Sequence, residues 1–335
     1  MTRRRQFITK SFYATVAFTL PLPLSAFKIN DKMIKNNNFD VIIVGGSYAG
    51  LSAAMTLGRS LRDVLLIDAG NPCNKQTPHS HNFITQDGAP PASISAIAKE
   101  QVLAYPKVQF LQDTAKRGLQ TNNRFEIITE SGQSFQSRKL IFATGIKDIL
   151  PEIEGFADCW GKTVIHCPYC HGYEVKKQKT GIFNNGDEAF ETAKLISNWT
   201  KDLAIFTNGK SKLSEEQTRK LQQKNISIIE KPITSVVHEN GYMERLKFED
   251  STTMALNAIY VRVPFKQHSN IPTELGCALD EHGYLMVDSF QKTNIPSIYA
   301  CGDNTTFIRS VAQAVYAGNL AGAMVNREMI ETDWE

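Results

Sequence analysis

Apolar runs too continuous for an alternating, half-buried strand punctuate this chain. FDVIIV (39–44) is apolar at five of six positions, the pattern of a parallel strand buried on both faces. A glycine turn follows, then a small-residue helix predicted from about Gly50 to Ser60, then a strand through DVLLI (63–67). LIFATGI (140–146) and SIYACGDNT (297–305) are each a strand running into a glycine turn. KTGIFNNGDEAFETAKLISNWTKDLAIFTNGK (179–210) repeats strand, turn, helix and strand. LSEEQTRKLQQKNISII (213–229) reads as a polar helix and a strand. From 233 to 263 polarity alternates around Asn240-Gly241, predicting an antiparallel flap. FIRSVAQAVYAG (307–318) reads as a helix. The class is α/β, with two Rossmann-like strand–turn–helix–strand units.

Composition adds limits. At 335 residues the chain holds two domains, and 42% hydrophobic with 21% charged residues is ordinary for a globular protein. Arg3, Arg4, Arg5 and Lys10 carry four positive charges before residue 27; without them the net +3 becomes −1. A near-neutral body argues against nucleic acid as partner, which asks for a basic face. The basic cluster, apolar stretch and small residues Ser25-Ala26 form a predicted signal peptide, 1–26. Arg4-Arg5-Gln6-Phe7-Ile8 is similar to a twin-arginine export signal, which implies a periplasmic or exported protein. Pro21 and Pro23 break the apolar part, too short for a stable membrane anchor. The alternative is an uncleaved extension, or a start at Met33, on a cytoplasmic protein.

The first strand–turn–helix unit carries a dinucleotide fingerprint. Gly45 permits the tight turn, Gly46 and Ser47 sit where backbone approaches a pyrophosphate, and Gly50 allows close helix–strand packing. Ser47 stands where the pattern has its middle glycine. Asp68, 23 residues after Gly45 at the tip of the second strand, is placed to accept from ribose hydroxyls.

Cys167 and Cys170, in IHCPYCHGYE (165–174), are the only closely spaced cysteines among six, and His166 and His171 flank them. Haem attachment, zinc and a redox disulfide all use this pattern. No second Cys/His pair at finger spacing supports zinc, and no axial haem ligand is identifiable. The segment by itself leaves the three open.

With these motifs in order, the chain over roughly 38–330 resembles the two-dinucleotide-fold flavoprotein disulfide reductases, close to low-molecular-weight thioredoxin reductase (class II of the pyridine nucleotide-disulfide oxidoreductases). The resemblance implies FAD on Gly45, Gly46, Ser47, Gly50, Asp68, Gly145 and Asp303, with the 307–318 helix and its Arg309 facing the flavin. It implies a discontinuous FAD domain, 36–150 and 278–335, around a central NAD(P)-domain-like segment, 151–277. It implies that Cys167–Cys170 is a redox disulfide, Cys167 exchanging with substrate sulfur and Cys170 passing electrons to the flavin. Homodimers are usual in the family. His171 stands where those reductases have aspartate, and with His166 it suits proton removal from an incoming dithiol; the plainer reading is a space-filling or capping histidine. HSHNFITQDGAPP (79–91) is similar to a loop expected to shape the flavin site, with Asn82 as a contact and His79 or His81 near the cysteines. Cys73, Cys159, Cys277 and Cys301 receive no role.

NAD(P)H use is doubtful. The second unit's turn reads Asn184-Asn185-Gly186, and an asparagine side chain crowds the place of a pyrophosphate. Phe206-Thr207-Asn208-Gly209-Lys210 offers one cation where NADPH-dependent members hold a 2′-phosphate. This combination resembles the dithiol oxidases that close disulfides in epipolythiodioxopiperazine and dithiolopyrrolone metabolites, whose reduced flavin is reoxidised by O2. The expected function is FAD-dependent thiol–disulfide exchange on a small-molecule or thioredoxin-like dithiol or disulfide. The alternatives are an NAD(P)H-dependent disulfide reductase, and a non-catalytic flavoprotein redox sensor or electron-transfer partner. No metal site is expected.

Overall fold

The computed structural model describes residues 36–121 and 124–335, so the predicted signal at 1–26 lies outside the described residues. The first apolar run forms the strand Asn38–Val44. Parallel neighbours extend it on one side to Val64–Asp68 and Val108–Gln112, and on the other to Ser134–Phe142. The nine-residue strand Ser134–Phe142 serves two partners on its far edge. Its start pairs antiparallel with Arg124–Thr129, and Leu140 to Phe142 pair parallel with Ile298–Ala300. Arg124–Thr129 pairs in turn with Ala115–Thr121.

Val41, Ile43, Val64 and Leu66 pack into one core with the helices Tyr48–Arg59 and Val311–Trp334. That helix pair depends on missing side chains. A Cβ on Gly318 would lie 2.0 Å from the Ala49 carbonyl oxygen, and one on Gly322 would lie 2.8 Å from that of Ala53.

Both helices start elsewhere than the residue pattern predicts. The first begins at Tyr48, because Ser47 takes the extended N-cap conformation. The last begins at Val311 rather than Phe307: Ser310 is extended, and its hydroxyl accepts from the Gln313 N–H at 3.1 Å. Residues 307–310 therefore precede the helix, which continues to Trp334.

The second half holds five parallel strands in the order Ser227–Ile229, Leu203–Phe206, Thr180–Phe183, Ala258–Val261 and Val164–Ile165. The antiparallel flap comprises Ile233–Glu239, Tyr242–Phe248 and Thr253–Ala255. Ala258–Val261, read in sequence with the flap, joins the parallel sheet instead; all four of its residues are buried, as a central strand requires. Where the chain passes between the halves, Ile146–Asp148 pairs antiparallel with Phe265–Gln267. No helix among the described residues is long and apolar enough to cross a membrane.

Candidate active site

A cavity of about 450 Å³ opens where the first sheet's turns meet the second half, and Gly46, Asp68, Gly145, Asp303 and Cys170 all line it. At the nucleotide end, Gly45 has φ +105°, and a Cβ there would lie 2.2 Å from the Ala143 carbonyl oxygen. Only glycine makes this turn. Gly50 does not line the cavity: its absent Cβ would sit 1.8 Å from the Gly45 carbonyl oxygen, so it brings helix and turn together. Asp68 accepts from the Gly46 N–H at 2.8 Å and the Gly70 N–H at 3.1 Å, which fixes the carboxylate beside the turn. Ser47 caps the Tyr48–Arg59 helix without a side-chain bond, leaving first-turn N–H groups for an anion. Lys99, half-buried, stacks its ammonium 3.3 Å over the Phe110 ring and lines the same wall. Burial lowers its pKa, and Asp68 opposes that shift.

Deeper in, Arg309 makes a two-pronged pair with Asp148, at 2.8 and 2.9 Å, and its Nε stands 3.6 Å from Asp303. That Nε is buried without a hydrogen-bond partner. Burial works against the guanidinium charge, yet Asp148 and Asp303 hold its pKa above the ordinary value. Burial raises the Asp303 carboxyl, with Arg309 opposing. Cys73 places its thiol 3.8 Å from Asp303. By accessible area Cys73 is exposed, but that area faces the cavity it lines, and the protein surrounding it pushes the thiol up to about 12. The enclosure, not the accessible area, governs its chemistry: it is a neutral donor to Asp303.

These features fit FAD. The first helix turn and Gly46 suit a diphosphate, Asp68 a ribose, and the free Nε of Arg309 an acceptor atom of the flavin portion. Gly145 (φ +62°) lines the cavity with nothing within 4 Å of where its Cβ would be, leaving space against the backbone.

At the sulfur end, Cys167 and Cys170 form a disulfide with Cα atoms 5.3 Å apart. Cys167 is the N-cap of the one-turn helix Pro168–His171, whose N1 proline is preset for that position. Cys170 lines the cavity, while Cys167 does not. His166 and His171 line it too, and His166 stacks on Trp160 with centroids 5.8 Å apart. His166 also owes its accessible area to the cavity; burial, with Arg309 adding, pushes it down to about 3. Burial lowers His171, with Glu174 opposing and His81 adding. Both imidazoles are neutral at pH 7, but His166 is held too low to take a proton from a thiol, which leaves His171 as the acceptor.

His79 and His81 line the cavity, and His79 Nδ1 lies 3.0 Å from the Gly88 carbonyl oxygen. Asn82 does not reach it. It is exposed, in a left-handed conformation with φ +60°, and its N–H donates to Asp87 at 2.7 Å. Cavity residues missed in the sequence include Lys99, Asp148, Trp160, His268 and Cys73. Only Asp148, two residues past the 140–146 strand and turn, stood near a legible signal.

The corresponding turn of the second half is filled by its own side chain. Asn185 caps the helix Gly186–Ile196 by accepting from the Gly186 N–H at 2.8 Å, and also accepts from the Lys212 N–H at 2.7 Å. Its amide donates to the carbonyls of Lys210 at 3.0 Å and Thr207 at 3.4 Å. Asp187 and Glu188 follow in the first helical turn.

Residues 39–318 match the family model described as pyridine nucleotide-disulphide oxidoreductase. "Thioredoxin reductase aclD" of Aspergillus oryzae is 30% identical over 300 residues, covering 86% of this chain and 95% of its own. The structure of a putative thioredoxin reductase TrxB from Bacillus anthracis superposes with a TM-score of 0.84 at 31% identity, covering 88% of this chain and 99% of that one. The structure of HlmI gives 0.83 at 27% identity, covering 88% and 94%. A dinucleotide cradle, a disulfide on the same cavity and a family match across both halves lead to one conclusion: the chain belongs to the pyridine nucleotide-disulphide oxidoreductase family, as a thioredoxin-reductase-like, FAD-dependent oxidoreductase acting on sulfur.

Proposed function

We propose that this protein is a dithiol oxidase. A substrate thiol gives its proton to His171, and the thiolate attacks the Cys167 sulfur, breaking the Cys167–Cys170 bond and leaving Cys170 reduced. The second substrate thiolate attacks the sulfur joined to Cys167, closes the substrate disulfide and frees Cys167. The substrate loses two electrons, which the cysteine pair gains, and two protons, which leave through His171 to solvent. FAD, held by the Gly45–Ser47 turn, Asp68 and Arg309, would supply the two-electron acceptor that returns the pair to its disulfide, with dioxygen as the final oxidant, released as hydrogen peroxide. Cys170 faces the cavity and Cys167 does not, which supports this division of roles. His166, held neutral against Trp160, is too weak a base to share that task, which falls to His171.

The observation that carries this reading is Asn185. Its side chain already answers the helix N-terminus that a nicotinamide dinucleotide's phosphates would use, and two acids follow it. The NAD(P)H-driven reductase reading draws support from the relatives named thioredoxin reductase and from the intact five-stranded parallel sheet. Anaerobic titration separates them. Bleaching of the flavin band by dithiothreitol but not by NADPH or NADH, with peroxide released on admitting oxygen, is the expected result; bleaching by NADPH sinks the oxidase. No multiple turnovers with any dithiol would favour the redox-sensor alternative. The reading includes export by the amino-terminal signal and a homodimeric assembly, checked by cell fractionation and light scattering.

A further inference from the structure

The two strands at the passage between the halves are both fastened to the wall of the cavity. Asp148 stands opposite Phe265 in the pairing of Ile146–Asp148 with Phe265–Gln267, and the next N–H, of Ile149, donates to the Pro264 carbonyl at 2.7 Å. The first fastening is the Asp148 carboxylate, 8% exposed, which accepts from both Arg309 Nη atoms at 2.8 and 2.9 Å. The second lies at the other end of the ladder. There the Gln267 amide donates to the carbonyls of Gly283 at 2.8 Å and Asn304 at 3.1 Å. Asn304, fully buried, follows Asp303 and donates to the Phe142 carbonyl at 2.9 Å. Three polar atoms at these fastenings are buried without a partner: Arg309 Nε, Gln267 Oε1 and Asn304 Oδ1. Of the three residues only Arg309 lines the cavity, so its Nε is the one a ligand there can satisfy.

We propose that Asp148 is a positioning residue: through Arg309 it ties the crossing strands to the bound cofactor, so that FAD tightens the hold on the half that carries Cys170. In the structure Asp303, at 3.6 Å, is too far to satisfy Arg309 Nε. An acceptor atom of the flavin portion on that nitrogen fixes the remaining edge of the guanidinium, whose plane keeps all its donors in one rigid fork. The fork can then no longer swing toward Asp303. Parting the crossing strands now means breaking a charge-assisted, two-pronged pair that is held in place from its far side. Lysine, a point charge on a flexible stem, cannot hold a cofactor atom and both oxygens of Asp148 together. Gln267 is the cofactor-independent fastening, since neither it nor Asn304 reaches the cavity. The tie serves either direction of electron flow, because both need the cysteine pair beside the flavin.

Amide hydrogen exchange, read by mass spectrometry on the full chain with and without saturating FAD, tests the coupling at two places. One is the glycine turn, 42–50; the other is the crossing, 146–149 and 264–268. In the wild type FAD slows exchange at both, and at the crossing by about tenfold, the scale of one charge-assisted bond resisting a local opening. In Asp148→Asn the turn slows as in the wild type, but the effect of FAD at the crossing falls below about threefold. Arg309→Lys gives the same loss, and Asp148→Glu, which keeps a carboxylate, recovers part of it. Gln267→Leu speeds exchange at the crossing in both states and leaves the FAD-dependent ratio at its wild-type value. A merely structural role for Asp148 would make Asp148→Asn behave like Gln267→Leu, and that result overturns the proposal. A second arm needs no variant and decides if Asp148→Asn fails to bind FAD. ADP, the nucleotide end of the cofactor without its flavin, protects the turn alone in the wild type; protection of the crossing by ADP overturns the tie through Arg309. Exchange is read without substrate, so failure of dithiols to bleach the flavin would refute the oxidase reading and leave this result standing.

Discussion

Replacing Asn185 by alanine tests whether the second nucleotide turn is closed by structure. The side chain makes two acceptor bonds, to the N–H groups of Gly186 and Lys212, and two donor bonds, to the carbonyls of Lys210 and Thr207. The donor bond at 3.4 Å is at the weak end of the range. Losing a helix cap costs about 0.5–2 kcal/mol, and each further bond roughly 0.5–1.5 kcal/mol net, toward the lower end for the exposed bonds to Lys212 and Lys210. The bond to Lys212 and the shorter donor bond add to the cap, so Asn185→Ala is expected to lose about 2–4 kcal/mol. Asn185→Asp keeps both acceptors at a helix N-terminus that favours an anion, but turns a carboxylate toward two carbonyls. It should lose about 1–2 kcal/mol. Urea unfolding at saturating FAD, followed by the fluorescence of Trp160 and Trp199, measures both. An alanine variant within about 0.5 kcal/mol of wild type, or an aspartate as costly as alanine, refutes the reasoning, since pinning of the 207–212 loop would then be negligible. Neither change should produce bleaching by NADPH, because Asp187 and Glu188 still place two negative charges on the turn.

Three further outcomes follow from the site. Cys167→Ser and Cys170→Ser should each retain FAD but slow anaerobic reduction by dithiothreitol at least about 100-fold in stopped flow, since serine is no disulfide-exchanging nucleophile; wild-type rates would exclude the pair from catalysis. Gly318→Ala gains about 1 kcal/mol of helix propensity, but its Cβ meets the Ala49 carbonyl at 2.0 Å. A net loss of about 1–2 kcal/mol in urea unfolding is expected, with lower FAD occupancy by absorbance because Ala49 lines the cavity; unchanged stability would show that the helices separate freely. In the FAD-free protein His166 is held neutral, so the unfolded chain binds a proton the folded one does not as pH falls from 6.5 toward about 3. Stability contributed by this group is present above 6.5 and lost through that window, so His166→Asn should show a shallower fall in urea midpoint between pH 7 and pH 4.5.

Much of this was legible because local chemistry and tertiary position agreed. FDVIIV is buried on both faces as its composition demands, and Gly45 and Gly50 lie where backbone approach excludes any side chain. The helix starts were carried by single serines: Ser310, with Gln313 three residues on, has a cap pattern that the apolar run from Phe307 overshadowed, while Ser47 caps by extended backbone alone, without a side-chain bond. Asn82 reads as a contact but lies outside the cavity wall, at a left-handed position that asparagine tolerates. Cys73 carried no signal, because its meeting with Asp303 joins residues 230 positions apart. Glu174 sat in plain view beside the cysteines, but its partner His81 comes from a different loop.

The cavity takes its walls from Gly45 near one end of the described chain and from Ala314 near the other. Yellow colour in this protein is therefore a certificate of completeness: a ribosome-bound chain lacking its last helix has the glycine turn and the disulfide yet no closed receptacle, and any truncation that removes the helix should yield pale material however well the remaining strands assemble.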